Sequence, residues 1–285
     1  MKAIRRTLAV LPFLALSNTS SPAATLVGQW TFENGSLQDS TGNFGNLVLQ
    51  GNASIINGAL DLNGSATTSS GWASTPGGPG SPYNAGPGGG LAISSKTMVS
   101  WVTMQGLSPV AQAGSAMTLD SVSVDNFDGI VFSETPRSAT NGWMSGSSFW
   151  NRSAPGQFNQ SSAVETTTGN LIQLAITYEV AGANVTITGY RNGVLMGTYV
   201  SGSAGTWAAG DQEVIFGQRH IGPPGAFGVQ GGIDALIHEA RLYDGALTLG
   251  EINSLTMVPE PGSAALALTA AGLLCTRRRS RSRGC

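Results

Sequence analysis

The clearest pattern along the chain is an alternation of apolar and polar residues with period two. It is strongest over residues 171–179, where Ile172, Leu174, Ile176 and Tyr178 share one face of an extended chain. Because successive side chains of a strand point to opposite sides, this spacing predicts a strand with one buried face. Further strands are predicted at residues 26–32, 98–104, 213–218 and 232–243.

Two local motifs predict a hairpin and a helix. Asn192-Gly193 separates strand-like runs at residues 185–191 and 194–200, and Asn-Gly favours the positive φ angles of a type I′ turn. A short helix is predicted over residues 248–255. Its first turn has a capping box, Thr248 with Glu251, and a hydrophobic staple, Leu247 with Ile252.

The composition agrees with a folded, turn-rich β domain. The chain has 285 residues, 40 Gly, 13 Pro and 11% charged residues, against a usual charged share of about 25%. Its 41% of apolar residues is enough for a core. Residues 71–90 contain eight glycines and four prolines. They are predicted to form a long surface loop that serves as a connector.

Charge is distributed unevenly along the chain. Residues 25–257 carry six Lys or Arg and fifteen Asp or Glu, a net charge of −9. Nucleic acid is not expected as a partner, because binding it needs a basic face. Residues 1–24 have a basic start, an apolar run and small residues at their end. This layout predicts a signal peptide and export across the inner membrane.

The C-terminal residues 258–285 contain a short motif, an apolar segment at 262–276 and a basic tail. The motif is Val258-Pro259-Glu260-Pro261, and the tail includes Arg277, Arg278 and Arg279. This order resembles the PEP-CTERM sorting signal of Gram-negative bacteria. The resemblance implies recognition by an exosortase, transient insertion of a hydrophobic sorting helix into the inner membrane, and delivery to the cell surface or exterior. The alternative is an ordinary C-terminal anchor, although a helix of roughly 22 Å is short for a hydrocarbon core of about 30 Å.

Several motifs between these ends resemble the laminin G-like family of concanavalin A-like proteins. They lie in order at residues 27–33, 39–43, 58–62, 97–102, 174–178, 190–193, 232–236 and 241–248. The resemblance implies an all-β fold, a concanavalin A-like jelly-roll β-sandwich over residues 25–257. Two departures stand out: Ala235 occupies a position that is acidic in the family, and residues 105–169 match no family motif.

The resemblance also suggests a calcium site. It places the two ends of the domain in adjacent strands, which would bring the oxygen-rich loop with Asp39 and Asn43 close to Asp234. Calcium prefers such carboxylate and amide oxygens. The alternative is that Asp39 caps a turn through its own side chain and that Asp234 is a solvated strand residue.

Trp72, Trp143 and Trp150 lie in glycine- and serine-rich stretches outside the predicted strands. Exposed aromatic rings provide flat apolar faces for sugars, so these three are the predicted ligand-binding residues. Packing beneath a loop is the alternative for each of them.

No catalytic constellation stands out in the sequence. Asp211 with Glu213 adjoins a predicted turn and is expected to be solvated, and His220 and His238 are isolated. The acidic residues between 120 and 128 are expected to form a solvated turn. The sequence therefore predicts a non-enzymatic module that binds an extracellular glycan or another polymer. A jelly-roll glycoside hydrolase or polysaccharide lyase and a purely structural matrix protein are the alternatives.

Overall fold

The computed structural model describes residues 23–258, apart from 65–69, 78–80, 82, 108–113, 135–137, 139, 148–152, 155, 159–160, 203–204 and 222–230. Residues 1–22 of the predicted signal peptide and the C-terminal segment from Pro259 onward thus lie outside the described residues. In chain order the first strands are β1 Thr25–Trp30, β2 Val48–Gln50, β3 Ser54–Ile56, β4 Ala59–Asp61, β5 Trp72–Ser74, β6 Lys96–Met104 and β7 Ser115–Ser121. They are followed by β8 Phe127–Phe132, β9 Trp143–Ser147, β10 Leu171–Ala181, β11 Asn184–Arg191, β12 Val194–Ser201, β13 Gln212–Gly217 and β14 Ala235–Asp244. One α-helix, α1 Leu249–Ser254, and two short 3₁₀ turns complete the described elements.

The strands form two antiparallel sheets that pack as a sandwich. The eight-stranded sheet has the order β12-β11-β10-β6-β14-β4-β3, and β1 also pairs with β14. The six-stranded sheet has the order β2-β5-β13-β7-β8-β9. The main apolar core lies between them and includes Trp30, Phe32, Met98, Leu119 and Phe216. The architecture confirms the predicted all-β jelly-roll sandwich.

The strongest local predictions are confirmed in the eight-stranded sheet. Strand β10 contains the predicted run. The β11–β12 hairpin turns at Asn192 and Gly193 with φ angles of 49° and 72°. Helix α1 begins after Thr248, and both hydrogen bonds of the capping box are present. One detail differs from prediction: Ala175, on the second face of β10, is also buried, because it packs in a cluster with α1 residue Ile252.

The second apolar cluster covers the outer face of the eight-stranded sheet. It contains Val99, Trp101, Ala175, Tyr243, Leu247 and Ile252. Residues from both ends of the described chain pack against it: Ala24 and Leu26 before and within β1, and Leu255 and Met257 after α1. No helix within the described ranges is long and apolar enough to cross a membrane.

The acidic stretch between residues 120 and 128 is not the solvated turn that the sequence predicts. Asp120 ends up in β7 and Asp128 in β8, and both side chains are buried. Asp128 faces the core between the sheets, where Lys96 Nζ lies 2.6 Å from its Oδ2. The Lys96 ammonium also lies 3.8 Å from the centroid of the Trp207 ring. The solvated-turn prediction was wrong for these two residues because β7 ends at Ser121 and β8 begins at Phe127, so Asp120 and Asp128 belong to strands.

Candidate functional site

The outer face of the six-stranded sheet carries a group of buried acidic side chains. Along β13, Val214 and Phe216 belong to the core between the sheets, so Glu213 and Ile215 point to the opposite side. Glu213 is paired in register with Asp120 of β7. Directly opposed residues of antiparallel strands have Cβ atoms about 4.5–5.5 Å apart. The pairing therefore places two carboxylates side by side on this outer face.

His220 connects Asp120 to the loop between β7 and β8. Its Nδ1 lies 2.7 Å from Asp120 Oδ1, and its Nε2 lies 3.0 Å from Asp125 Oδ1. The imidazole stacks on Phe127 with a centroid distance of 4.6 Å. The site thus places the His220 ring between the carboxyl groups of Asp120 and Asp125.

The two facing carboxylates are in different environments. The backbone N–H of Ile221 donates to Asp120 Oδ2 at 3.0 Å, while His220 occupies the other oxygen. Glu213 is 1% exposed, and burial, followed by the nearby charge of Asp120, raises its pKa to about 8. Gly77 lies directly over Glu213, since a Cβ on that glycine would fall 2.6 Å from Glu213 Oε2. At neutral pH a pKa of about 8 keeps Glu213 mostly protonated beside Asp120.

This pair was not found from the sequence. The sequence suggested Asp211 with Glu213 as the nearest pair of carboxylates and predicted that both are solvated. Glu213 is instead buried, and its partner Asp120 comes from another strand. Asp120 and Glu213 meet only because β7 pairs with β13. No local sequence pattern predicts which strands pair. We will call Asp120, Asp125, Glu213 and His220 the acid–imidazole cluster.

An apolar group adjoins the acid–imidazole cluster on the same face. Trp72, Ile215 and Ile221 form a buried cluster, and half-buried Tyr83 packs against it. The Tyr83 and Trp72 rings meet edge to face with centroids 5.0 Å apart. We will call these four residues the aromatic patch. Within it, Tyr83 is the aromatic residue that keeps part of its surface accessible.

Two of the predicted ligand-binding tryptophans lie in strands, not in loops. Trp72 begins β5 and is 5% exposed, and Trp143 begins β9 and is fully buried. Trp143 Nε1 donates to Glu165 Oε1 at 2.9 Å, and Glu165 also pairs with Arg191. Neither ring offers a free face, so the loop assignment was wrong for both. Trp150 lies outside the described residues.

The predicted calcium ligands do not form one site. Gln29, whose backbone N–H donates to Asp39, pairs with Arg241 of β14, while Asp234 precedes that strand. Seven residues of extended chain separate Asp234 from Arg241, which corresponds to about 20 Å. The adjacency of β1 and β14 is as expected, but the two acidic residues lie toward opposite ends of β14.

Asp39 has the structural role that was the alternative to calcium binding. Its carboxylate accepts hydrogen bonds from four backbone N–H groups and one hydroxyl, all between 2.7 and 3.0 Å. The donors are Gln29 N, Thr41 N, Thr41 Oγ1, Asn43 N and Phe44 N. Asn43 itself donates through its side-chain amide to the Val27 carbonyl. Across the part of the chain that the structure describes, no group of three His, Cys, Asp or Glu residues could hold a metal ion.

Comparison with known proteins gives a family match and several structural neighbours. A family model described as the concanavalin A-like lectin/glucanases superfamily, Laminin_G_3, matches residues 76–253. Domain 4 of AbnA, an extracellular arabinanase from Geobacillus stearothermophilus in complex with arabinotriose, is 21% identical with a TM-score of 0.52. That match covers 81% of this chain and 97% of the arabinanase domain. No curated protein matches the chain.

A sialidase from Trypanosoma rangeli, solved with 2,3-difluorosialic acid as a covalent intermediate, is a further neighbour. It is 18% identical with a TM-score of 0.50, and the match covers 83% of this chain but 33% of the sialidase chain. At these identities both neighbours show a shared sandwich fold.

Proposed function

Since this chain belongs to the Laminin_G_3 family of the concanavalin A-like lectin/glucanase superfamily, we propose that it is an exported module that binds carbohydrate at the cell surface or in the extracellular matrix. Binding takes place on the outer face of the six-stranded sheet, beside the aromatic patch. The proposal includes no catalytic step.

The observation that carries the proposal is the half-buried Tyr83 seated on Trp72. A tyrosine ring combines an apolar face with a polar tip, which suits a sugar ring. Two side-chain amides lie next to Tyr83. Gln50 Nε2 donates to the Tyr83 carbonyl, and Asn84 Nδ2 donates to the Ser74 carbonyl. A partly exposed aromatic among a few placed polar groups is the usual composition of a small-ligand site.

The test is calorimetric titration of the purified protein with short plant and bacterial oligosaccharides. Arabinotriose is the first ligand to try, because the arabinanase domain of similar fold is described in complex with it. Tyr83→Ala is expected to weaken binding by about tenfold or more, equivalent to about 1.4 kcal/mol. Tyr190→Ala is the matched control, because Tyr190 is also half-buried but packs on the outer face of the other sheet. Equal losses in both variants would contradict the proposed location.

A glycoside hydrolase is the second candidate, and the specific observation in its favour is the pairing of Asp120 with Glu213. A carboxylic acid with a raised pKa that faces a second carboxyl group is an arrangement that such hydrolases use. It ranks second because both carboxylates are buried and Asp120 is bonded to His220 and Ile221. Release of reducing sugar by the wild type, lost in Glu213→Gln, would favour the hydrolase. A matrix protein without a discrete ligand would give no binding in the titration and no release of sugar.

We also propose that residues 258–285 direct sorting by an exosortase after transient insertion in the inner membrane. The support is the order of motif, apolar segment and basic tail in the sequence. The test is the intact mass of the exported protein, which should lack the segment from residue 262 onward. An exported form that still contains Cys285 would contradict the proposal.

A further inference from the structure

Two charged side chains on the outer face of β14 bind the backbone of the chain that follows α1. Glu239 Oε2 accepts a hydrogen bond from the backbone N–H of Val258 at 2.7 Å. Arg241 Nη2 donates to the backbone carbonyl of Thr256 at 2.6 Å. In an extended chain, the carbonyl of one residue and the N–H of the second residue after it point to the same side. Glu239 and Arg241 thus bind the chain as a neighbouring strand would.

The two side chains are held in place by other contacts. Arg241 Nε donates to Glu239 Oε1 at 2.6 Å, and Gln29 Nε2 donates to the same oxygen at 2.7 Å. The Arg241 guanidinium lies 4.8 Å from the centroid of the Trp101 ring. Glu239 and Arg241 are 2% and 8% exposed. A buried, paired and hydrogen-bonded arrangement of this kind is fixed before the chain binds to it.

The bound segment has the alternation of an extended strand. Leu255 and Met257 are half-buried and pack on the cluster around Ile252, while Thr256 and Val258 are exposed. The contacts to Glu239 and Arg241 therefore use main-chain groups, and the side chains of Thr256 and Val258 contribute little. Recognition of this segment does not depend on the identity of those two side chains.

We infer that Glu239 and Arg241 form a backbone clamp that protects residues 256–258 from proteolysis, so that proteolytic release of the C-terminal segment takes place beyond Val258. The inference deepens the proposed sorting and rests on it for the identity of the released segment. Cleavage adds water across one peptide bond and leaves a carboxylate on the domain and an amine on the released segment.

The physical reason is competition for the same backbone groups. Proteins that bind extended peptides do so mainly through main-chain hydrogen bonds. A protease that bound residues 255–258 would need the Thr256 carbonyl and the Val258 N–H, which the clamp already holds. Cleavage there requires local opening, and its rate follows the population of the open form when opening and closing are fast.

The test is limited proteolysis of the full-length chain with a broad-specificity protease, followed by mass determination of the resistant domain. Val258→Pro removes the N–H that Glu239 accepts, and Val258→Ala keeps it. The wild type and Val258→Ala should yield a domain that ends at residue 258 or later. Val258→Pro should be trimmed by at least three further residues, to the end of α1. Glu239→Gln, which replaces the accepting Oε2 by an NH₂ group, should behave like Val258→Pro.

The proteolysis results test the clamp, and the mass of the exported protein tests the sorting proposal. Identical domain ends in Val258→Pro and Val258→Ala, or a wild-type domain that ends between residues 255 and 257, would overturn the clamp. An unchanged unfolding midpoint of Val258→Pro verifies that the domain itself is folded. If the clamp is correct and the exported protein nevertheless retains Cys285, only the sorting proposal fails.

Discussion

Replacing Glu213 by Gln tests the charge state of the acid–imidazole cluster through stability. Folded Glu213 holds its proton up to a pKa of about 8, whereas the ordinary value is 4.5. Between these values the folded state binds more protons than the unfolded state. Stability must therefore fall as pH rises through this window. Below pH 4.5 both states are protonated, and above pH 8 the full penalty of ionising a buried carboxylate is present.

The size of this effect follows from the pKa. A tenfold change in proton affinity corresponds to about 1.4 kcal/mol, so a rise from 4.5 to about 8 gives a stability change on the order of 5 kcal/mol. Glu213→Gln keeps the volume of the side chain and cannot ionise. Its free energy of unfolding should match the wild type near pH 5 and exceed it by a few kcal/mol at pH 8 to 9.

The assay is urea unfolding of both proteins at four pH values from 5 to 9, with ΔG taken by linear extrapolation. Other titrating groups contribute a background slope that cancels in the difference between the two proteins. Glu179→Gln is the matched control, because Glu179 is an exposed acid on β10. The reasoning is refuted if the difference between wild type and Glu213→Gln does not change across this pH range.

Two further changes test the core and the predicted metal ligands. Lys96→Met should destabilise the protein by about 3–5 kcal/mol, because it leaves Asp128 buried without its cation. Burial lowers the pKa of Lys96 and raises that of Asp128, so each charge is costly by itself, and the double variant with Asp128→Asn should recover much of the lost stability. A double variant no more stable than Lys96→Met in urea unfolding would contradict this. Asp39→Ala should cost about 3 kcal/mol, since it removes an acceptor of five hydrogen bonds, and calcium followed by excess chelator should leave the unfolding temperature of both proteins unchanged. A calcium-dependent rise that disappears in Asp39→Ala would restore Asp39 as a metal ligand.

The sequence predicted the parts of the fold that depend on local rules. Alternation predicted β10, the Asn192-Gly193 pair predicted the hairpin, and the spacing of Thr248 and Glu251 predicted the start of α1. Each of these signals lies within about ten residues and reflects geometry that a short segment imposes on itself. They indicated a β domain, whereas the jelly-roll sandwich was implied by the resemblance to the laminin G-like family.

The site could not be predicted in the same way. Strands β5 and β9 have three and five residues, too few for a periodic signal, so Trp72 and Trp143 were assigned to loops. The pairing of Asp120 with Glu213 depends on the order of strands in the sheet, which neither segment encodes alone. For Asp39, one pattern fitted both a metal ligand and a turn cap. Only the positions of the surrounding N–H groups distinguish the two.

The packing of both ends of the described chain on one cluster has a consequence for how the module is presented. Ala24 and Leu26 lie on the outer face of the eight-stranded sheet, and so do Leu255 and Met257. The aromatic patch lies on the outer face of the other sheet, on the far side of a sandwich whose sheets pack about 10 Å apart. The described chain therefore enters and leaves the sandwich on the face opposite the aromatic patch. Glycan bound at the proposed site would thus contact the sheet that carries neither end of the described chain.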